Sequence, residues 1–241
     1  MIHLSDRDGV GLLELDRPQR RNALDIAQCR RLVDAVGELL GRGVRALVVT
    51  GAGSSFCSGA DFGEVHTDGF RDALHAALHA VRAAPVPTVA AVNGPAIGAG
   101  TQLAIACDLR IADAGAVFGV PAAQLGVAVD PWTLHRLAQL AGGGTARAVA
   151  LSCDRIDAGL AHVRGLVDRL GDRAAALAWA ADLARLAPLT LRYSTLVLDR
   201  TDLPDDDPEL LAAFEACWAS EDLAEGRSAR REGRAPRFRG R

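Results

Sequence analysis

The sequence contains no lysine: all 27 cationic side chains among its 241 residues are arginine. Two chemistries that need that amine are thereby excluded, Schiff-base catalysis and the Gly-Lys-Ser/Thr phosphate loop. Paired cysteines are also missing. Cys29, Cys57, Cys107, Cys153 and Cys217 are odd in number and widely spaced, with no Cys-x-x-Cys among them. They read as reduced thiols serving as small core residues in a cytoplasmic chain. No basic segment followed by an apolar run opens the sequence, so no secretion signal is expected. No run of about 18 apolar residues occurs, so no membrane span is expected. Positive charge is not in excess either. The formal net charge is −3 and only the C-terminal end is basic, which removes nucleic acid as an expected partner.

What is present is apolar material, 49% of the residues and enough for a sizeable core. The segment from Val10 to Pro18 reads as a strand closed by proline. Asp25 is placed to cap a helix whose apolar residues Ile26, Leu32, Val33, Val36, Leu39 and Leu40 recur at helical spacing. Short buried-type strands are expected at 45–51 and 88–94, with a helix over 70–84 between them. Two short strands follow at LRIAD and AVFGVP, then a helix from Pro131 and another over 174–188. The acidic stretch 199–210 reads as a connector in which Asp207-Pro208 starts a helix, and two closing helices follow. Strands alternate with helices early and helices stand alone late. The expected fold is therefore α/β over 1–187 with a helical C-terminal region over 188–241.

Two turns share one design. Gly59-Ala60-Asp61 ends the run SSFCSGAD, and Gly98-Ala99-Gly100 opens a helix. Small residues let backbone N–H groups approach a ligand, and a helix N-terminus adds unpaired donors. Two such N–H groups could converge on one oxygen as an oxyanion hole, each worth on the order of 3 kcal/mol in a transition state. A tight connection alone explains such glycines equally well. Neither GAGSSF nor GAGTQL carries the third glycine of a dinucleotide loop.

The segments RPQRRNALD, GAGSSFCSGADF, AAVNGPAIGAGTQLAIACDLRIAD and FGVPAAQLG, with SEDLAEGRSARREGRAPRFRG near the end, resemble the enoyl-CoA hydratase/isomerase (crotonase) family, and within it hydratase-like paralogues of high-GC bacteria that lack both catalytic glutamates. The resemblance implies a spiral of ββα units with a helical C-terminal part that builds trimers or hexamers. It implies an oxyanion hole that holds an acyl-CoA carbonyl, with the amides of Ala60 and Ala99 as donors. Coenzyme A would be part of the ligand, with no separate cofactor and no metal. Ala60, Asp61, Phe62, Gly63 and Gly98 would contact that ligand, with Arg21 near its phosphates. Arg230, Arg231 or Arg234 would reach the phosphates from a neighbouring subunit, although an arginine-rich end is usually just solvated.

By the same resemblance, hydratases carry glutamates at the positions of Gln102 and Ala122. Gln102 can hold a water but cannot take its proton, and Ala122 can do neither. Ordinary hydration is therefore expected to be weak or lost, leaving a binder of fatty acyl-CoA. Two alternatives stay open: an isomerase or hydrolase that uses Asp130, and a true hydratase. Asp130 aligns with a catalytic aspartate of some family members, but it also precedes Pro131, and a helix cap alone accounts for that pair. Trp132 either reshapes the acyl pocket or anchors packing. Lesser candidates are His66 in the loop after the first turn, the His75/His79 pair at metal-capable spacing without a third ligand, and Cys57 without a base partner.

Overall fold

In a computed structural model, which describes residues 1–61, 63, 69–200 and 207–241, the chain opens with an antiparallel hairpin. Its strands are β1 (Ile2–Arg7) and β2 (Val10–Leu15). Asp8 and Gly9 join them at φ 53° and 80°, the positive-φ pair of a tight hairpin turn. The sequence reading starts at Val10 and misses β1, although the Asp-Gly signal is there to be read. A short 3-10 turn over Pro18–Arg20 then leads into α1 (Ile26–Gly41). As expected, Asp25 caps α1, accepting from the Gln28 amide at 2.7 Å.

The strands that follow are β3 (Ala46–Gly51), β4 (Thr88–Val92), β5 (Pro95–Ile97), β6 (Leu109–Ala112), β7 (Val117–Gly119), β8 (Ile156–Asp157) and β9 (Arg169–Leu170). With β1 and β2, four of them form a six-stranded sheet in the order β1-β2-β3-β4-β6-β9, parallel from β2 onward. A smaller sheet, β5-β7-β8, stands apart. Between strands lie α2 (Phe70–Arg82), α3 (Ala99–Ala106), α4 (Ala122–Leu125), α5 (Pro131–Arg147, broken at Gly142) and α6 (Ala158–Val163). The chain then runs through α7 (Arg173–Leu183), α8 (Pro188–Leu198), α9 (Pro208–Ala219) and α10 (Glu221–Glu232).

Both faces of the central strands β2, β3 and β4 are buried, which is why these strands read as apolar runs rather than alternating ones, whereas the edge strands β1 and β9 are largely exposed. Leu47 and Val49 point into the main core with α1, α2 and α3, while Ala46 and Val48 point to the other face. There Ala176 and Ala180 of α7, with Ala184 at its C-cap, pack against the strands, their small side chains permitting close approach. The helix expected over 174–188 ends earlier, at Leu183. Pro188 instead occupies the first turn of a separate helix, where its missing N–H costs nothing. Asp207 caps α9 as expected. Among the described residues no single helix is long and apolar enough to cross a membrane.

Candidate functional site

The two glycine-rich turns meet, and a miniature β-bridge brings them together. Cys57 pairs with Ala96: its amide donates to the Pro95 carbonyl at 3.1 Å, and its carbonyl accepts from Ile97 at 2.9 Å. This close approach sets the glycines. A Cβ on Gly100 would stand 2.0 Å from the Cys57 carbonyl oxygen, and one on Gly94 would stand 2.2 Å from that of Ser54. These two glycines thus make room for the partner turn's backbone, the tight-connection alternative that the sequence left open for Gly100. Gly98, at φ 55°, performs the turn into α3.

On the first turn the backbone is extended. Leu24 takes the Gly59 carbonyl at 2.8 Å and supplies the carbonyl that the Asp61 amide reaches at 2.7 Å. In an extended segment consecutive groups alternate sides, so the Ala60 N–H points away from Leu24, and it donates to no described residue. On the second turn the first intrahelical bond of α3 runs from the Gln102 amide to the Gly98 carbonyl at 3.0 Å. The Ala99 amide precedes it and is one of the orphan donors of the helix start, again with no acceptor among the described residues. A Cβ on Gly59 would lie 3.9 Å from the Ala99 nitrogen, so the two turns are in contact at this point.

Side chains brace the pair of turns. Asp61 is buried and accepts from Arg20 at 2.7 Å, from Arg17 at 3.4 Å and from the Gly63 amide at 3.2 Å. The hydrogen bond from Arg20, then that from Gly63, holds its carboxyl below the usual carboxylate range. Asp61 thus braces the loop through Arg17, Arg20 and the Gly63 amide. Asn22 is also buried. Its amide donates to the carbonyls of Ala52 at 2.9 Å and Ser55 at 2.7 Å. Asn93 donates to the carbonyls of Gly51 and Gly53. The Thr101 hydroxyl lies 2.6 Å from the Ala96 carbonyl oxygen and 2.9 Å from that of Gly119. The sequence reading missed these three. Nothing in their local spacing marks them, since their partners are 18 to 42 residues away or, for Ala96, set by a turn.

The side-chain half of the site is a closed network. Gln102 is buried on α3, and its Nε2 donates to Asp130 Oδ2 at 3.0 Å and to Thr133 Oγ1 at 2.8 Å. The Thr133 hydroxyl donates to Asp130 Oδ2 at 2.6 Å, and its amide donates to Oδ1 at 3.0 Å. Asp130 is thus the cap of α5, with three hydrogen bonds on its two oxygens. Trp132 is half-buried against the main core, with the Arg82 guanidinium 5.1 Å from its ring centre. Ala122, at the start of α4, is half-buried and offers only a methyl group.

The remaining candidates are scattered. Arg21 is exposed at φ 49°. Arg230 and Arg231 stand exposed in the last turn of α10. Arg234 is committed to Glu225 at 2.5 and 3.0 Å and to Glu232 at 2.6 Å. Cys57 is fully buried, which pushes its thiol up to about 12 and keeps it protonated. The His75 and His79 rings lie 6.5 Å apart, and no group of three metal-capable side chains occurs among the described residues. Phe62 and His66 lie outside the described residues. A separate cleft of about 460 Å³ opens between the end of α2 and α8, lined by residues such as Arg82, Val86, Leu191 and Arg192, and includes neither turn.

The fold is matched among known proteins. The family model for enoyl-CoA hydratase/isomerase covers residues 5–241. The "probable enoyl-CoA hydratase echA6" of Mycobacterium tuberculosis is 41% identical over all of both chains. An enoyl-CoA hydratase structure from Bacillus anthracis superposes with a TM-score of 0.91 at 27% identity, covering 100% of this chain and 99% of that one. An enoyl-CoA hydratase/carnithine racemase structure from Magnetospirillum magneticum gives 0.90 at 30% identity, covering 100% and 96%. The chain belongs to the enoyl-CoA hydratase/isomerase family and has the crotonase fold.

Proposed function

We propose that this protein binds fatty acyl-CoA thioesters through the amides of Ala60 and Ala99, and that ordinary hydration is weak or lost. The observation that carries this reading is the asymmetry of the site. Two adjoining backbone donors are left unspent, while the positions of the family's two glutamates hold an amide and a methyl group. A thioester oxygen that builds negative charge is the acceptor such donors suit. Water activation needs a base, and neither Gln102 nor Ala122 is one. Asp130 is a poor replacement because its oxygens already carry three hydrogen bonds within the protein. In this reading Arg21 meets the coenzyme phosphates, with Arg230 or Arg231 available from a neighbouring subunit, and Trp132 bounds the acyl chain.

The assembly proposed is a homotrimer or a dimer of trimers, in the cytoplasm. Tyr193, Phe214 and Trp218 form an aromatic ladder across α8 and α9, and Trp218 is 58% exposed, an apolar surface suited to a partner. Calorimetric titration with a saturated acyl-CoA, run beside an absorbance assay of crotonyl-CoA hydration, tests the functional reading. Saturable binding with little or no turnover supports it. Hydration at a rate normal for the family refutes it.

A further inference from the structure

The cleft between α2 and α8 is sorted by charge. Among the described residues its wall carries two acids and three arginines. Both acids are matched: Asp199 by Arg136 of α5 at 3.3 Å, and Glu209 by Arg200. Arg82 and Arg192 are left over, and neither forms a hydrogen bond or ion pair with a described residue. His79 also lines the cleft and adds no negative charge in either protonation state. The Arg82 guanidinium rests 5.1 Å from the centre of the Trp132 ring, a contact through the cation that uses none of its N–H donors. Arg192 and Thr195 lie three residues apart on α8, hence side by side, and set a hydroxyl next to the second guanidinium.

The rest of the wall is apolar and stiff. Ala84-Pro85-Val86-Pro87 carries the chain from α2 into β4, and its two prolines have a fixed φ and no N–H. Leu191 and Leu196 line the cleft from α8. The Arg136–Asp199 pair, mostly buried, pins the C-cap of α8 to α5, so the cleft is held open in advance of any ligand. Leu191, Thr195 and Asp199 share the face toward it, whereas Tyr193 of the aromatic ladder points about 200° around the helix from Leu191. The cleft also stands clear of the two turns. It meets β4 at its N-terminal end, and the Ala99 turn follows the C-terminal end, about 16 Å of strand away. Its volume of about 460 Å³ falls within the range of small-molecule sites.

We propose that this cleft is a second ligand site, for a medium-chain aliphatic carboxylate held by Arg82 and Arg192 with its alkyl chain against Val86 and Leu191. A guanidinium fork matches the two oxygens of a carboxylate. An inorganic anion would meet the arginines and leave the apolar wall in contact with water. A neutral ligand would cover the wall and leave the two cations unmatched. An amphipathic carboxylate satisfies both. The inference is independent of the thioester reading, because it uses neither turn and none of the residues assigned to the coenzyme.

The test is calorimetric titration of the full chain with octanoate, with octanamide and with butyrate. Octanoate should bind saturably and about tenfold more tightly than either of the others, since octanamide lacks the charge and butyrate most of the alkyl chain. Arg192→Gln, at an exposed position, should weaken octanoate about tenfold. Arg30→Gln removes the same charge from an exposed position on α1 outside the cleft and should change nothing. Octanoate binding that persists beside saturating decanoyl-CoA, or in a protein that binds no thioester at all, supports a separate site. Displacement of octanoate by decanoyl-CoA overturns it. So does the absence of saturable octanoate binding, an equal affinity for octanamide, or an unchanged affinity in Arg192→Gln.

Discussion

The site is made of two halves that differ in kind. The amide half, Ala60 and Ala99, is built from backbone. The side-chain half, Gln102, Ala122 and Asp130, is built from groups that a single codon change alters. A bridge between Cys57 and Ala96 ties the first half together, and Gly94 and Gly100 permit that contact by having no Cβ. In the second half, Gln102 and Asp130 satisfy one another through Thr133. The difference separates two capacities. Gripping a carbonyl oxygen depends on where two peptide planes lie, which the fold itself fixes. Moving a proton depends on carboxylates, and those can be lost with the fold intact. In the proposed reading the amide half holds the thioester oxygen, while in the side-chain half Asp130 caps α5 and Gln102 is bonded to it.

Four substitutions test this contrast, in falling order of expected effect. Gly100→Ala drives a methyl group into the Cys57 carbonyl. It should cost about 3 kcal/mol or more, read as a lower urea midpoint, and should abolish ligand binding with it. Asn22→Ala leaves the carbonyls of Ala52 and Ser55 without their donor. A loss of about 2 kcal/mol is expected by the same measurement. Were either protein as stable as the original, the rigid character given to the amide half would be wrong.

The third substitution moves to the other half. Gln102→Glu sets two carboxylates about as close as the present 3.0 Å contact. The shared proton raises the folded-state pKa of the pair above the unfolded value. Stability should therefore fall by on the order of 1 kcal/mol at neutral pH and return as the pH drops through that raised value. A flat difference from pH 8 to pH 5 would show that the two side chains do not face each other. The smallest effect concerns Asp61, whose carboxyl is depressed by Arg20 and the Gly63 amide. Its contribution is present above the unfolded carboxylate pKa of about 3.9 and is lost as the pH falls through the lower folded value. Asp61→Asn should flatten the acid limb of the stability curve relative to the original chain, and an unchanged limb would detach Asp61 from the turn.

Much of this was legible in the sequence, for definite reasons. Helix starts at Asp25, Asp130 and Asp207 follow from local chemistry, and each carboxylate does cap its helix. The motif-bearing segments named the family, and the family brought the fold with it. Contacts over long spans were not legible. Asn22 reaches 33 residues to Ser55, and no window of sequence contains both. The sequence left open whether Gly100 makes room for a ligand or for a tight connection, because a missing Cβ looks the same in either case; the Cys57 carbonyl fills that space. The link between Gln102 and Asp130 crosses 28 residues, so two residues weighed separately turn out to be one unit. Arg234 looked free in a basic tail and is occupied by Glu225, which the arginine holds down to about 2.

The central claim is that two peptide nitrogens polarise a thioester oxygen, and the bond they act on can be observed. An acyl-CoA carrying carbon-13 at the thioester carbonyl gives an isotope-edited infrared band for that bond alone. On binding, the band should move to lower frequency, and the shift should shrink in a variant with proline in place of Ala60, which has no N–H to give. A bound thioester whose carbonyl band stays at its solution frequency would contradict the account.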